Sequence, residues 1–310
     1  MKKKILIAVD SSIHSNNAMD YALKMGSMMK EASFVLLNIQ PIISQYLVEE
    51  ALKRPKSKEE LNRLYKSHHM NSQQFLETCK EKLIRKGVPG DCIEVRTQPR
   101  VYSVAEDIIK SAEIGSYDAV LVGRSGASGI RELLMGSVTS NLLSQAHFIP
   151  LWIVDGTVTS EKVLVAVDGT PSSLKAVDHV SFIFSENRDL TIEFLNIIPL
   201  IRDVCEVDTD TLETAELEEA MLISNEKCIT DFSAVARGVL KNAGFSDDQI
   251  VFRSEKHMYS PGKAIIDIVK KENFGTVIVG KSDAKETSHV GRVAGHIIQK
   301  ISDRAVWIVP

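Results

Sequence analysis

The chain repeats itself, and the repeat constrains its fold more than any single motif. "KILIAVDSS" (Lys4 to Ser12) returns as "KVLVAVDGT" (Lys162 to Thr170), which sets Asp10 against Asp168 at an offset of 158. "LNIQP" (Leu37 to Pro41) returns as "LNIIP" (Leu195 to Pro199) at the same offset. "YDAVLVGRS" (Tyr117 to Ser125) returns as "FGTVIVGKS" (Phe274 to Ser282) at 157, and "LWIV" (Leu151 to Val154) as "VWIV" (Val306 to Val309) at 155. Four blocks in one order, with so small a drift in offset, mark a tandem duplication. The 310 residues suit two domains, each able to bury roughly 70% of its unfolded surface. The boundary falls in the polar stretch "DGTVTS", giving units of 1–155 and 160–310 joined by a linker short enough to keep them in contact.

Each unit alternates strand and helix. In the first, 4–9 is an apolar run ending at Asp10, and 15–30 carries Ala18, Tyr21, Ala22, Met25 and Met29 at helical spacing, with Ser11 or Ser12 as cap. A strand at 33–39 precedes a long helix over 58–86 that stops at Gly87. Then come a strand at 92–97, a helix from Ser103 to about 113, a strand at 118–123, a helix at 137–146 and a strand at 149–154. The second unit runs the same course. Its strands are continuous apolar runs, so both faces of the sheet are covered. The fold class is α/β: two tandem doubly wound domains, each a five-stranded parallel sheet flanked by helices with right-handed crossovers. Ligands of such sheets bind beyond the carboxyl ends of the strands, where the winding reverses. Asp10, Asn38–Ile39 and Gly123 all sit at such ends.

One motif match fails its context. Gly275 to Ser282 spells G-x-x-x-x-G-K-S, the letters of a phosphate-cradling P-loop. Between the glycines stand Thr276, Val277, Ile278 and Val279, which read as a buried strand, and the sister copy has Asp118 in place of Gly275. No G-x-S-x-G, H-E-x-x-H or G-x-G-x-x-G anchors a hydrolase, zincin or dinucleotide reading. A net charge of −4 gives no broad pull toward nucleic acid or anionic membrane, and no apolar run approaches the length of a membrane span. "MKKKILIAVDSS" lacks a long apolar region and cleavage site, so it reads as a strand rather than a signal peptide. Cys79, Cys92, Cys205 and Cys228 are scattered without C-x-x-C, which fits a reducing, cytoplasmic setting. His68–His69 lacks a third ligand at suitable spacing and reads as a solvated helix face, while His289 and His296 read as packing.

The informative segment is "VGRSGASGIRELLMGSVTSNLL", Val122 to Leu143. Gly123 lets the chain turn off a buried strand, and Gly126 lets backbone N–H groups approach an anion without a Cβ in the way. Gly136–Ser137 opens a helix whose first N–H groups are unpaired and carry about half a positive charge. The Ser137 hydroxyl adds a donor. Together these make a phosphate site of the helix N-terminus kind.

G-x-x-G followed nine residues later by G-[S/T] resembles the nucleotide motif of the universal stress proteins. So do "AVDSS" after the first strand, "LNI" after the second, and "GSVTSNLL" before a closing "PLWIV". The resemblance covers both halves, as in a tandem-type member of that family. It implies an ATP- or AMP-binding fold, with or without Mg, that dimerises through its last strand. It also implies that Asp10 meets the ribose or adenine, that Ser11 belongs to the nucleotide-binding residues, that the Ile39 backbone meets the adenine, and that Gly123, Gly126, Gly136, Ser137 and Val138 line the phosphate and ribose. Arg124 would either reach a terminal phosphate or stand solvated on the loop. In a tandem chain the edges "PLWIV" and "AVWIV" would pair within the molecule as a pseudo-dimer, with a homodimer and an unidentified protein partner left open.

The second copy departs from the motif. In "VGKSDAKETSHVGRVAGH" (Val279 to His296), Asp283 replaces the second glycine, Arg292 replaces the serine, and the glycine-to-glycine interval shrinks from thirteen residues to eleven. An aspartate adds like charge to a phosphate site, so this half is expected to have lost nucleotide binding. Arg292 would then pair with Asp168, or Lys281 and Arg292 would take a different anion. The acidic "CEVDTDTLETAELEEA" (205–220) and the basic "KRPKSKEELNRLYK" (53–66) follow equivalent strands and read as separate solvated surfaces, with mutually attracted lids as the alternative. Three functions fit: a nucleotide-binding stress or signalling protein, a slow ATPase, or a scaffold independent of nucleotide. With Asp10 the only carboxylate placed nearby, catalysis has no evident base.

Overall fold

The computed structural model describes residues 2–124, 135–200, 215–257, 260–281 and 291–310. In the first half the elements are β1 (Lys3–Ala8), α1 (Ile13–Met28), β2 (Ala32–Ile39), α2 (Gln45–Leu52), α3 (Pro55–Arg85), β3 (Ile93–Gln98), α4 (Val104–Gly115), β4 (Ala119–Gly123), α5 (Ser137–Gln145) and β5 (Leu151–Asp155). The second half has β6 (Val163–Ala166), α6 (Pro171–Ile183), β7 (Ile192–Ile198), α7 (Ala215–Asn242), β8 (Ile250–Lys256), α8 (Pro261–Lys271), β9 (Thr276–Gly280), α9 (Arg292–Lys300) and β10 (Arg304–Val309). α2, capped by the Ser44 side chain, is an element that the sequence analysis missed. The stop at Gly87 is as expected: it takes φ +102°, a conformation open to a residue without Cβ.

The strands form one sheet in the order β3-β2-β1-β4-β5-β10-β9-β6-β7-β8. Pairing is parallel throughout each half, and β5 meets β10 antiparallel, with Trp152 opposite Trp307. The two closing strands therefore pair within the chain, as expected. The winding reverses between β1 and β4 and again between β6 and β9, so each half has its own switch point. Gly275 and its four followers belong to this sheet: Thr276–Gly280 is β9, held between β10 and β6. A Cβ at Gly275 would lie 2.0 Å from the Ser160 carbonyl oxygen, so this glycine admits the linker and not a phosphate.

The period of two along each strand sends alternate side chains to opposite faces. Ile5 and Ile7 join one core with Met25, Leu76, Val180 and Leu240, under α1, α3, α6 and α7. Leu6 joins the other with Ile108, Leu142, Val269 and Ile297, under α4, α5, α8 and α9. Each core draws residues from both halves, so the halves share their hydrophobic stabilisation.

At the centre the two tryptophan rings stack at 3.8 Å with 4° between planes. Each donates to the first helix of the opposite half. Trp307 Nε1 donates to the Tyr21 hydroxyl at 2.8 Å, which also bonds Thr276 Oγ1 at 2.8 Å. Trp152 Nε1 donates to His179 Nε2 at 3.1 Å. Tyr21 and His179 are equivalent positions of the repeat.

Candidate functional site

The first switch-point crevice is built from three strand ends. Asp10 follows β1, and its Oδ1 accepts from Ser12 N (3.0 Å), Ser12 Oγ (2.5 Å) and Ser15 Oγ (2.7 Å). Ser12 in turn caps α1 by accepting from Ser15 N. Of the two candidate caps, then, Ser12 is the cap, and Ser11 is exposed beside it. Asp10 is thereby fixed in one orientation by the turn it helps to make, a local competition between side chain and backbone typical of Asp and Ser.

At the end of β2, Ile39 is half-buried and Asn38 acts as a strut that the sequence analysis left without a role. Asn38 Nδ2 donates to the Val9 carbonyl, and its Oδ1 accepts from Ser72 Oγ of α3. Ser72 accepts from Thr97 of β3, which accepts from Gln40. These bonds tie the ends of β1, β2 and β3 to α3.

Gly123 ends β4. A Cβ there would lie 2.7–2.8 Å from the Cβ, carbonyl carbon and carbonyl oxygen of His14, so the glycine admits the first turn of α1. Its φ is not in the positive range. The expected reason, a sharp turn off the strand, is replaced by a close approach of backbone to backbone. The same holds for Gly280, where a Cβ would meet Ser172 O at 2.3 Å.

The N-terminus of α5 faces the same switch point. Its cap is Gly136, with no side chain to accept from the first-turn N–H groups. Among the α-helices whose N-cap is described, only α5 and α9 have neither a side-chain cap nor a proline in the first two positions. Their tips retain unpaired donors and the positive end of the helix dipole. Gly136 N itself donates to the Arg124 carbonyl, and Thr139 Oγ1 to the Gly123 carbonyl, which fasten α5 to the end of β4. Ser137 is exposed and Val138 half-buried at the tip. Gly126 and Asp283 lie outside the described residues.

Arg124 is a correction. It neither stands in solvent nor is left for a phosphate, because the residue is 5% exposed and its side chain runs into the second half. Nη1 donates to the Ile301 carbonyl at 3.1 Å, Nη2 to the Gln299 carbonyl at 3.0 Å, and Asp155 lies 3.3 Å away. The low dielectric there favours a cation only where carbonyls and a carboxylate meet it.

In the second half Asp168 repeats the Asp10 network with Thr170 and Ser173. Arg292 is exposed, and among the described residues the Asp168 carboxylate is bonded to these hydroxyls and not to Arg292. The expected ion pair is absent because the turn itself satisfies the aspartate. The Ser103 side chain caps α4, whereas Ser260 occupies the cap position of α8 without a side-chain bond. Among the described residues no group of three or more His, Cys, Asp or Glu is placed to hold a metal, and no helix is long and apolar enough to cross a membrane.

The fold defines a doubly wound α/β protein with two switch points, one per repeat. The chain belongs to the universal stress protein family, whose model matches residues 1–155 and again 159–310. It is 28% identical over 155 residues to the universal stress protein YxiE of Bacillus subtilis, a match covering 50% of this chain and 99% of that one. The crystal structure of a universal stress protein from Archaeoglobus fulgidus superposes with a TM-score of 0.65 at 18% identity, covering 98% of this chain and 97% of that chain, which establishes the shared tandem fold. A universal stress protein solved in complex with cAMP matches 51% of this chain and 98% of its own, at 19% identity and a TM-score of 0.33.

Proposed function

We propose that the first half binds an adenine nucleotide, ATP or AMP, and that the protein works as a nucleotide-responsive stress or signalling protein. The observation that carries this reading is the uncapped tip of α5 at the β1/β4 switch point, beside an Asp10 held in place by Ser12 and Ser15. The phosphates take the amides of the tip, including those of Ser137 and Val138, and the Ser137 hydroxyl. Asp10, Ser11 and the Ile39 backbone receive the nucleoside, and Gly126 gives the backbone room to approach the phosphates. The second half, with Arg292 in place of Ser137 and Asp283 in place of Gly126, holds no nucleotide. Bound nucleotide biases assembly or partner choice by its difference in affinity between states.

Native mass spectrometry and titration calorimetry test this. One adenine nucleotide per chain is expected. Ser137→Asp, which sets a like charge against the phosphates, should weaken binding about tenfold or more, while Arg292→Asp leaves it unchanged. Two nucleotides per chain would refute the loss in the second half; none, at millimolar ATP or AMP, would refute the reading.

A further inference from the structure

The residues that follow the two fourth-strand glycines both cross to the opposite half. Arg124 follows Gly123, and its guanidinium meets the Gln299 and Ile301 carbonyls at the C-terminal end of α9. Lys281 follows Gly280 and is 7% exposed. Its Nζ donates to the Leu143 carbonyl at 3.0 Å and the Ala146 carbonyl at 3.2 Å, at the C-terminal end of α5, with His147 Nδ1 at 3.0 Å. An ammonium only donates, so His147 accepts through Nδ1 and carries its proton on Nε2. Three donors thus meet three acceptors. The Lys281 main chain is fixed as well, its N–H donating to the Val309 carbonyl at 2.6 Å.

We infer that Lys281, in the second half, is a positioning residue for the anion site of the first half, anchoring the far end of the helix whose tip receives the ligand. This rests on the nucleotide reading above. α5 has nine residues, too few to be stable alone, so its placement comes from its fastenings. Arg124 and Gly123 hold the N-terminal end through their carbonyls, and Lys281 holds the C-terminal end. A short helix moves as one body, and ligand donors must stay within about 0.5 Å of their working positions. Cohesion alone would not call for a lysine, since a packed apolar side chain joins two halves at least as well as a buried charge. What the ammonium supplies is direction: bonds to two specific carbonyls at a helix end, where a cation also suits the dipole. Arg124 does the same for α9.

Three variants test the inference: Lys281→Met, Lys281→Arg and the control Lys3→Met. Lys3 Nζ makes another bond between halves, to Ser185 Oγ at 2.9 Å, from the start of β1 and away from α5. Calorimetry well below the melting temperature of each variant should show Lys281→Met binding nucleotide about threefold to tenfold more weakly. Lys281→Arg should recover most of that affinity, and Lys3→Met should match the wild type. Hydrogen exchange without nucleotide should show faster exchange over 137–145 in Lys281→Met only. Unchanged affinity in Lys281→Met, or an equal loss in Lys3→Met, overturns the inference. Should the wild type bind no nucleotide, the functional reading fails on its own, and exchange still decides the anchor: selective loosening of α5 upholds it and unchanged exchange refutes it.

Discussion

The two halves are built alike where the chain must fold and differ where a ligand would sit. Both place an aspartate after the first strand, bonded to a hydroxyl two residues on and another five residues on. Both end the fourth strand in a glycine that lets the first helix approach, and both open the last helix with an uncapped glycine. The duplicated features include Asp10, which the family resemblance assigns to the nucleoside. Its repetition in a half with a broken motif shows that the aspartate also serves the turn. The unduplicated features are more telling: Ser137 against Arg292, Tyr21 against His179, and a basic segment after β2 against an acidic one after β7.

The strongest way to break the equivalence of the halves is at their junction. Trp307→Ala removes the ring stacked on Trp152 and the donor to Tyr21, and should cost about 3–5 kcal/mol. Because each core includes residues of both halves, denaturant unfolding of wild type and variant should follow a single transition by tryptophan fluorescence and circular dichroism. Two separated transitions would show that the halves are independent domains merely in contact. Gly280→Ala should cost about 1–3 kcal/mol through overlap with the Ser172 backbone. A fully stable variant would mean that this glycine is a relic of a phosphate loop and not part of the packing.

Much of this organisation was legible in the sequence because duplication turns pattern into evidence. The blocks around Asp10 and Asp168 fix the first strands, and the apolar runs at 118–123 and 276–280 disclose strands covered on both faces. The P-loop letters at Gly275 fail for that reason, since Thr276–Gly280 is a strand paired on both sides. Other features depend on tertiary approach, which no local pattern records. Arg124 stands in a glycine-rich loop sequence and reads as a ligand or a solvated side chain, yet its partners are carbonyls more than 170 residues away. The sequence offers Lys281, beside Arg292, only as one of two alternatives for the second half, an anion ligand, whereas its donors go to α5. One signal was available: both halves place a cation directly after the fourth-strand glycine although the rest of the motif has diverged. α2 was missed because eight residues with one buried side chain, Ala51, make a weak periodic signal.

The finest test of the comparison is the pair Tyr21 and His179, two solutions to one task. Each accepts a hydrogen bond from a buried indole, and each is a titratable group held neutral by burial. Burial lowers the His179 pKa to about 3 and raises the Tyr21 hydroxyl well above its usual range. Their consequences for stability lie on opposite sides of neutrality. Below about pH 6.5 the unfolded chain protonates His179 and the folded chain does not, so stability should fall by up to about 1.4 kcal/mol per pH unit as pH drops toward 3. Above about pH 10 the unfolded chain ionises Tyr21 and the folded chain does not, so stability falls again as pH rises. His179→Gln keeps an acceptor for Trp152 without a titrating ring and should flatten the acid limb while leaving the alkaline limb in place. Urea midpoints measured from about pH 4 to 11 check this, and an acid slope identical in variant and wild type would show that His179 is protonated in the folded chain.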